Sequence, residues 1–143
     1  MRVALVTGGG SGIGRSAALE LNKIDFTVYV VGRREEELIK TSSLATNNNH
    51  KIIPIKTDIT IGSQVIALFD KIKSDHGRID LLFNNAGMGA PRVPIEDLKE
   101  EDWRKTVDVN LTGSFLCSQQ AIKLMKNQSP QGGRIVNNGS VSA

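Results

Sequence analysis

A glycine-rich segment near the start of the chain carries the clearest chemical signal in the sequence. Residues 7–14 read Thr-Gly-Gly-Gly-Ser-Gly-Ile-Gly and lie between a short apolar run and a helical pattern. Glycine permits positive φ angles and close backbone approach to a ligand, and a helix that begins there presents unpaired N–H groups. In this strand, turn and helix setting we expect a dinucleotide pyrophosphate to bind, rather than a purely structural turn. The predicted contacts are Gly8, Gly10, Ser11, Gly12, Ile13 and Gly14.

The end of the second apolar run indicates which dinucleotide would bind. A site for NAD(H) places a carboxylate about 20 residues after the glycines, where it binds the ribose hydroxyls. Here the segment reads Gly32-Arg33-Arg34, with no acid at that point. A guanidinium can pair bidentately with a 2′-phosphate, so the sequence favours NADP(H) over NAD(H) as the cofactor. The alternative is that both arginines pair with the glutamates at 35–37 on a solvated helix start.

Two further segments, 58–59 and 84–87, follow the third and fourth apolar runs. Ligands of open α/β sheets bind outside the carboxyl ends of the strands, so we expect both segments to line the cofactor site. The carboxylate in the first segment is suited to the amino group of an adenine, although an Asx turn leading into Thr60 explains it equally well. The residues of the two segments are Asp58, Ile59, Asn84, Asn85, Ala86 and Gly87.

Segments with strand-like spacing of apolar residues alternate along the chain with segments of helix-like spacing. They predict the strands and helices that must position these residues. Short runs rich in β-branched residues predict strands at 3–7, 26–31, 51–56, 79–83 and 134–137. Apolar residues at helical spacing predict one helix that starts after Gly14 and ends at residue 23, and others at 35–45, 63–76 and 102–126. The last helix is expected to carry one apolar stripe along Trp103, Val107, Leu111, Ser114, Cys117 and Ala121.

This alternation predicts an α/β fold, a Rossmann-like doubly wound parallel sheet with helices on both faces. Pro54 lies inside the third strand and cannot donate to the ladder, so this strand is expected at a sheet edge. The strand order 3-2-1-4-5-6 of such folds places it there. Residues 1–143 form one domain in this interpretation. Because the sequence stops soon after strand five, we expect the N-terminal part of a larger domain that lacks its C-terminal strands.

The composition of the 143 residues narrows the function further. The 18 basic and 15 acidic residues are interspersed, so a net charge of +3 does not indicate a nucleic-acid partner. No apolar run is long enough to cross a bilayer, so no membrane partner is expected. Cys117 is the single cysteine, which excludes an intramolecular disulfide and a multi-cysteine metal site, and no metal is expected. Core packing is the expected role of Cys117, and the cytoplasm is the expected location.

The motifs occur together in an order typical of one family. The chain carries the glycine turn at 7–14, Asp58-Ile59, the Asn-Asn-Ala-Gly segment at 84–87, Asn110 within a long helix, and Gly-Arg-Ile-Val-Asn-Asn-Gly-Ser at 133–140. In this combination the sequence resembles the short-chain dehydrogenase/reductase family over its whole length. The resemblance is far more specific than any one of the motifs.

The resemblance implies a tetrad of Asn, Ser, Tyr and Lys that passes a proton to the substrate oxygen while nicotinamide exchanges hydride with the neighbouring carbon. Asn110 and Ser140 match the first two members, with Ser142 as the competing serine. Asn110 is expected to be buried within its helix and hydrogen-bonded, the alternative being a solvated helix position. The Tyr and Lys of the family fall beyond Ala143, and the single tyrosine, Tyr29, lies in strand two. Residues 1–143 alone are therefore expected to be inactive.

Two hypotheses about function follow. The first is an NADP(H)-dependent oxidoreductase acting on a small-molecule carbonyl or secondary alcohol, with a 3-oxoacyl carrier-protein reductase as one specific example. The second is a catalytically inactive, truncated nucleotide-binding fragment. In relatives the long helix commonly packs against another subunit, so the resemblance also implies a homo-oligomer, a dimer or tetramer, with contacts from residues 103–125. The same apolar stripe is equally consistent with packing in the domain's own core.

Overall fold

The computed structural model of the chain describes residues 1–140. Strands and helices alternate along it, which confirms the predicted α/β fold class. The strands are β1 (Arg2–Thr7), β2 (Phe26–Gly32), β3 (Ile52–Lys56), β4 (Leu81–Asn84) and β5 (Arg134–Asn137). The helices are α1 (Gly12–Lys23), α2 (Glu35–Ser43), α3 (Gly62–His76), α4 (Glu100–Val107) and α5 (Gly113–Asn127), with a 3-10 turn at Ile95–Asp97 and a π-helical turn at Asp108–Thr112.

The five strands form one parallel sheet in the order β3-β2-β1-β4-β5. The edge position of β3 confirms the prediction made from Pro54, which is in register with Val30 of β2. β1 lies between β2 and β4. The chain passes from β1 to β2 on one side and from β4 to β5 on the other, so the direction of the connections reverses between β1 and β4. The carboxyl ends of β1 and β4 therefore form the crevice in which ligands of such sheets bind.

Successive side chains of β1 enter two hydrophobic cores, one on each face of the sheet. Ala4 and Val6 pack in the core that includes residues of α1 and α2, whereas Val3 and Leu5 pack in the core that includes residues of α3 and α5. All four side chains are fully buried. A strand covered on both faces has no polar side to alternate with, which is why its sequence is a continuous apolar run.

The last helical region differs from the prediction. The expected single helix consists of α4 and α5 joined by the π-helical turn. Cys117 and Ala121 are fully buried, as predicted, but Trp103 and Leu111 are 59% and 67% exposed. The prediction of one continuous buried stripe is therefore wrong for its first half, because no residue of α4 or of the π-helical turn packs into either hydrophobic core. Burial raises the pKa of the Cys117 thiol to about 12.

A shielded ion pair fixes the beginning of β4 beside the beginning of β1. The Asp80 carboxylate accepts hydrogen bonds from the Val3 backbone N–H at 2.8 Å and from Nη2 of Arg78 at 2.5 Å. The side chains of Arg78 and Asp80 are 23% and 18% exposed. Burial alone would raise the pKa of Asp80, but the hydrogen bonds from Arg78 and Val3 together hold it below its ordinary value. The carboxylate thus stays charged and ties the two central strands together.

Candidate functional site

A cleft of about 670 Å³ opens at the carboxyl ends of the strands, where the topology predicts a ligand site. The glycine turn after β1 forms one wall, and the segments that follow β2, β3 and β4 form the others. The structure thus brings together most of the residues predicted as cofactor contacts. Those that line the cleft are Gly8, Gly10, Ser11, Gly12, Ile13, Arg33, Arg34, Asp58, Ile59, Asn85, Ala86 and Gly87.

Gly14 does not line the cleft, but the shape of the glycine turn depends on it. A Cβ at this position would lie 2.2 Å from the carbonyl oxygen of Gly8 and 2.5 Å from Nδ2 of Asn85. Gly8 itself has a φ of +65° and Gly12 a φ of +51°, a region that L side chains rarely adopt. The first turn of α1 can therefore approach the end of β1 this closely only because residue 14 is glycine.

Thr7 and Asn85 hold the glycine turn against the end of β4. The Thr7 hydroxyl oxygen accepts hydrogen bonds from the backbone N–H groups of Asn85 and Ala86, each at 2.9 Å. Nδ2 of Asn85 donates in return to the carbonyl oxygens of Thr7 at 3.1 Å and Gly8 at 3.4 Å. The ends of β1 and β4, which flank the crevice, are therefore joined by side-chain hydrogen bonds.

Arg33 and Arg34 lie at the end of β2 and line the cleft. Nη2 of Arg34 is 3.5 Å from the Ser11 hydroxyl, and within residues 1–140 neither guanidinium forms an ion pair. The alternative pairing with the glutamates of α2 is not observed. The carboxylate of Glu37 instead pairs with Arg15 at 2.6 Å, and the charge of Arg34 acts on it only at longer range.

Asp58 and Ile59 contribute to the cleft in different ways. Oδ1 of Asp58 accepts hydrogen bonds from the Thr60 backbone N–H at 3.0 Å and from its hydroxyl at 2.7 Å, so the predicted Asx-turn alternative is present. This turn leaves the second carboxylate oxygen without a hydrogen bond within the described part of the chain. The side chain of Ile59 is 6% exposed and packs in the core that contains α3 and α5, so its backbone is the part that can face a ligand.

Asn84 does not line the cleft, in contrast to the other residues of its motif. Its side chain is buried, and Nδ2 donates to Oδ1 of Asn137 at 2.9 Å and to the Ser118 hydroxyl at 3.0 Å. The amide therefore bridges β4, α5 and β5. This placement favours a scaffold role over the predicted cofactor contact.

A second cavity, of about 950 Å³, adjoins the cleft and contains both candidate catalytic residues. Nδ2 of Asn110 donates to the Met88 carbonyl oxygen at 2.7 Å, and Oδ1 accepts from the Met88 N–H at 3.0 Å. Asn110 lies in the π-helical turn and is exposed, so the prediction of a buried residue is wrong, whereas the predicted hydrogen bonding is present. Ser140 lines the same cavity, and Ser142 lies outside the described residues.

Three residues that organise the site were not among the predicted contacts. Thr7 is visible in the sequence as the first residue of the glycine motif, but its hydroxyl contacts depend on the distant β4. Arg15 binds the back of the turn from α1, and only its position after Gly14 could have indicated this. Asn138 lines both cavities, and its Nδ2 donates to Oδ1 of Asn85 at 3.0 Å. No local pattern marks that contact, because 53 residues separate its partners.

Among residues 1–140, no helix combines the length and apolar character needed to cross a membrane. The same residues contain no group of three or more His, Cys, Asp or Glu side chains arranged to hold a metal ion.

The sheet order, the glycine turn and the cleft define a Rossmann-like α/β protein, and comparisons with known proteins specify the family. The model of the family described as short chain dehydrogenase matches residues 2–143. A 3beta-hydroxysteroid dehydrogenase of Mediterraneibacter gnavus is 37% identical over 141 residues, which cover 99% of this chain and 50% of that protein. The chain belongs to the short-chain dehydrogenase family.

Solved structures of similar proteins agree with this assignment. NAD+-bound xylitol dehydrogenase matches with a TM-score of 0.92 and 31% identity, over 99% of this chain and 54% of that one. A metagenomic short-chain oxidoreductase in complex with NADP matches with a TM-score of 0.91 and 27% identity, over 98% of this chain and 62% of that one. The chain thus spans about half to three-fifths of the length of these relatives, which include both an NAD+ and an NADP complex.

Proposed function

We propose that the protein is an NADP(H)-dependent oxidoreductase that transfers hydride between nicotinamide and a small carbonyl or secondary alcohol substrate. The observation that carries this proposal is the pair of arginines, Arg33 and Arg34, which line the cleft without an ion-pair partner in the described residues. A 2′-phosphate is the group that distinguishes NADP(H) from NAD(H), and it is dianionic or nearly so at neutral pH. Guanidinium groups bind such oxyanions through charge-assisted, bidentate hydrogen bonds.

The residues of the glycine turn fit the phosphates of a dinucleotide. Backbone torsions at Gly8 and Gly12, together with the close packing at Gly14, leave a turn whose N–H groups can approach an anion without side chains in between. The N-terminus of α1 adds the positive end of the helix dipole. In this proposal, Ser11 and Ile13 bind through their backbone, and Asp58 binds the adenine amino group through its second oxygen. When bound, nicotinamide supplies the hydride donor or acceptor.

Asn110 and Ser140 would act on the substrate side. The two hydrogen bonds of Asn110 fix the backbone of Met88, a residue that lines both cavities, so Asn110 can set the position of the loop after β4. The Ser140 hydroxyl is suited to donate a hydrogen bond to a substrate carbonyl oxygen in the same cavity. Proton transfer to that oxygen is assigned to the Tyr and Lys of the tetrad that the family resemblance implies.

We also propose that the protein forms a homo-oligomer through the outer face of α4 and α5. Large apolar side chains are exposed there, with Trp103 at 59% and Phe115 at 58%, and a subunit contact would bury them. Replacing both with serine and measuring the molar mass by light scattering tests this contact. A smaller assembly is expected, and an unchanged mass would exclude this face.

Cofactor binding and turnover of the complete protein test the proposed function. Isothermal titration calorimetry should give a lower Kd for NADPH than for NADH, and the variant Arg33→Ala/Arg34→Ala should lose this difference. NADPH oxidation is then followed with a panel of ketones that includes a steroid and a 3-oxoacyl thioester. Equal or tighter binding of NADH by the wild-type protein would contradict the NADP(H) assignment, and the absence of turnover with every ketone would favour a nucleotide-binding protein without reductase activity.

A further inference from the structure

An ion pair lies directly behind the glycine turn, between Arg15 of α1 and Glu37 of α2. Nη2 of Arg15 is 2.6 Å from Oε2 of Glu37. The same guanidinium donates to the carbonyl oxygen of Gly10, and its Nε donates to the Thr41 hydroxyl at 3.0 Å. The Thr41 hydroxyl donates in turn to the carbonyl oxygen of Gly9 at 2.9 Å. Arg15 is therefore held by three partners and has a fixed orientation.

Glu37 occupies a position where a free carboxylate would affect the choice of cofactor. It lines the cleft together with Arg33 and Arg34. A Cβ added to Gly10 would lie 3.1 Å from Cβ of Glu37, so the glutamate stands directly against the glycine turn. A carboxylate that turned into the cleft would accept hydrogen bonds from ribose hydroxyls, as the acid of an NAD(H) site does. It would also neutralise the arginines and repel a 2′-phosphate.

The contacts of Arg15 prevent this. The hydrogen bond from Arg15 is the largest cause that lowers the pKa of the Glu37 carboxyl, and the charges of Arg15, Lys40 and Arg34 act in the same direction, so the charged form of the glutamate is favoured. Asp58 is the other acid that lines the cleft, and its Oδ1 is occupied by the Asx turn with Thr60. The net charge at the ribose end of the cleft therefore depends on whether the Glu37 carboxylate is paired with Arg15.

We propose that Arg15 is a specificity-determining positioning residue, which favours NADP(H) by holding the Glu37 carboxylate away from the 2′-phosphate. This inference rests on the proposed function and adds a determinant outside the cleft, because Arg15 itself does not line it. The selectivity of the site then has two parts: Arg33 and Arg34 attract the phosphate, and Arg15 removes the acid that would oppose it.

Three variants of the complete protein test this role: Arg15→Met, Glu37→Gln and the double variant. The readout is the Kd for NADPH and for NADH, measured by calorimetry in the absence of substrate. Arg15→Met frees the carboxylate, so the Kd for NADPH should rise roughly tenfold while that for NADH stays the same or falls. Glu37→Gln should keep the wild-type preference. The double variant lacks the same Arg15 contacts but has no carboxylate, so it should regain most of the NADPH affinity.

A purely structural role of Arg15 gives a different pattern. In that case Arg15→Met and the double variant would weaken NADPH and NADH by the same factor, because both lose the contacts to Gly10 and Thr41, and this result would overturn the inference. Arg15→Lys retains a cation beside Glu37 and should retain the preference for NADPH. A wild-type protein without any NADPH preference would instead refute the proposed cofactor assignment. Thermal unfolding of each variant verifies that binding is compared between folded proteins.

Discussion

Replacing Gly14 with alanine tests whether the turn must approach α1 as closely as the structure indicates. In an open helical position, a change from glycine to alanine stabilises a protein by about 0.5–1 kcal/mol, because alanine loses less conformational entropy on folding. At Gly14 the new Cβ would lie 2.2 Å from the Gly8 carbonyl oxygen and 2.5 Å from Nδ2 of Asn85. Neither neighbour can move freely, since one is backbone and the other donates to Thr7.

The cost of this overlap should exceed the gain in helix propensity. Overpacking by one methyl group costs about 1–3 kcal/mol, so the net loss of unfolding free energy for Gly14→Ala should be about 1–2 kcal/mol. The shift also moves the Gly8 carbonyl and the N–H groups beside it. Loss of one well-aligned hydrogen bond to phosphate corresponds to about 1.4 kcal/mol, or roughly tenfold in dinucleotide affinity.

Gly62 provides the matched control, because it begins α3 and a Cβ there would meet no atom within 4 Å. Gly62→Ala should therefore leave the unfolding free energy unchanged or raise it by up to about 1 kcal/mol, with unchanged dinucleotide affinity. Both variants are measured by urea unfolding and by NADPH titration of the complete protein. If Gly14→Ala were as stable as Gly62→Ala and bound NADPH normally, the close approach of α1 to β1 would be refuted.

Three further predictions concern the second cavity, the central strands and the cysteine. Asn110→Ala removes both hydrogen bonds to Met88, so kcat should fall by roughly 100-fold with little change in the Kd for NADPH, and an unchanged kcat would exclude a role in positioning. Because the folded-state pKa of Asp80 is lowered, the stability it contributes is present above its unfolded pKa and is lost as the pH falls through the folded value. In Asp80→Asn, the unfolding free energy should therefore decline less steeply in acid than in the wild-type protein, as measured by urea unfolding at several pH values. The same decline in both proteins would show that the ionisation of Asp80 does not contribute to the pH dependence of stability. Cys117 should react with a thiol reagent at neutral pH only when the protein unfolds, and rapid labelling of the native protein would contradict its burial.

The fold could be predicted from the sequence because its signals are local. The continuous apolar run of β1 indicates burial on both faces, and Pro54 alone indicates that β3 lies at an edge. The π-helical turn between α4 and α5 could not be predicted in this way. Trp103 and Leu111 continue the apolar spacing of the helix, but no residue of α4 or of the π-helical turn is buried, and local spacing does not show which part of a helix packs against the sheet.

The sequence predicted part of the candidate site. Residues placed to contact a ligand were predicted, whereas most residues that orient those contacts were not. Residues that would contact a ligand lie at strand ends or in the glycine turn, positions that topology identifies without knowledge of distant neighbours. Residues that orient these contacts act through pairs far apart in the chain, such as Asn85 with Asn138 and Arg15 with Glu37. Asn85 and Asn138 each lie in a motif, but neither motif indicates their contact across 53 residues, and Arg15 belongs to no motif of its own. The orientation of the cleft therefore depends on contacts that only the folded chain reveals, which is why variants of these supporting residues, more than variants of the glycines, can distinguish one cofactor preference from another.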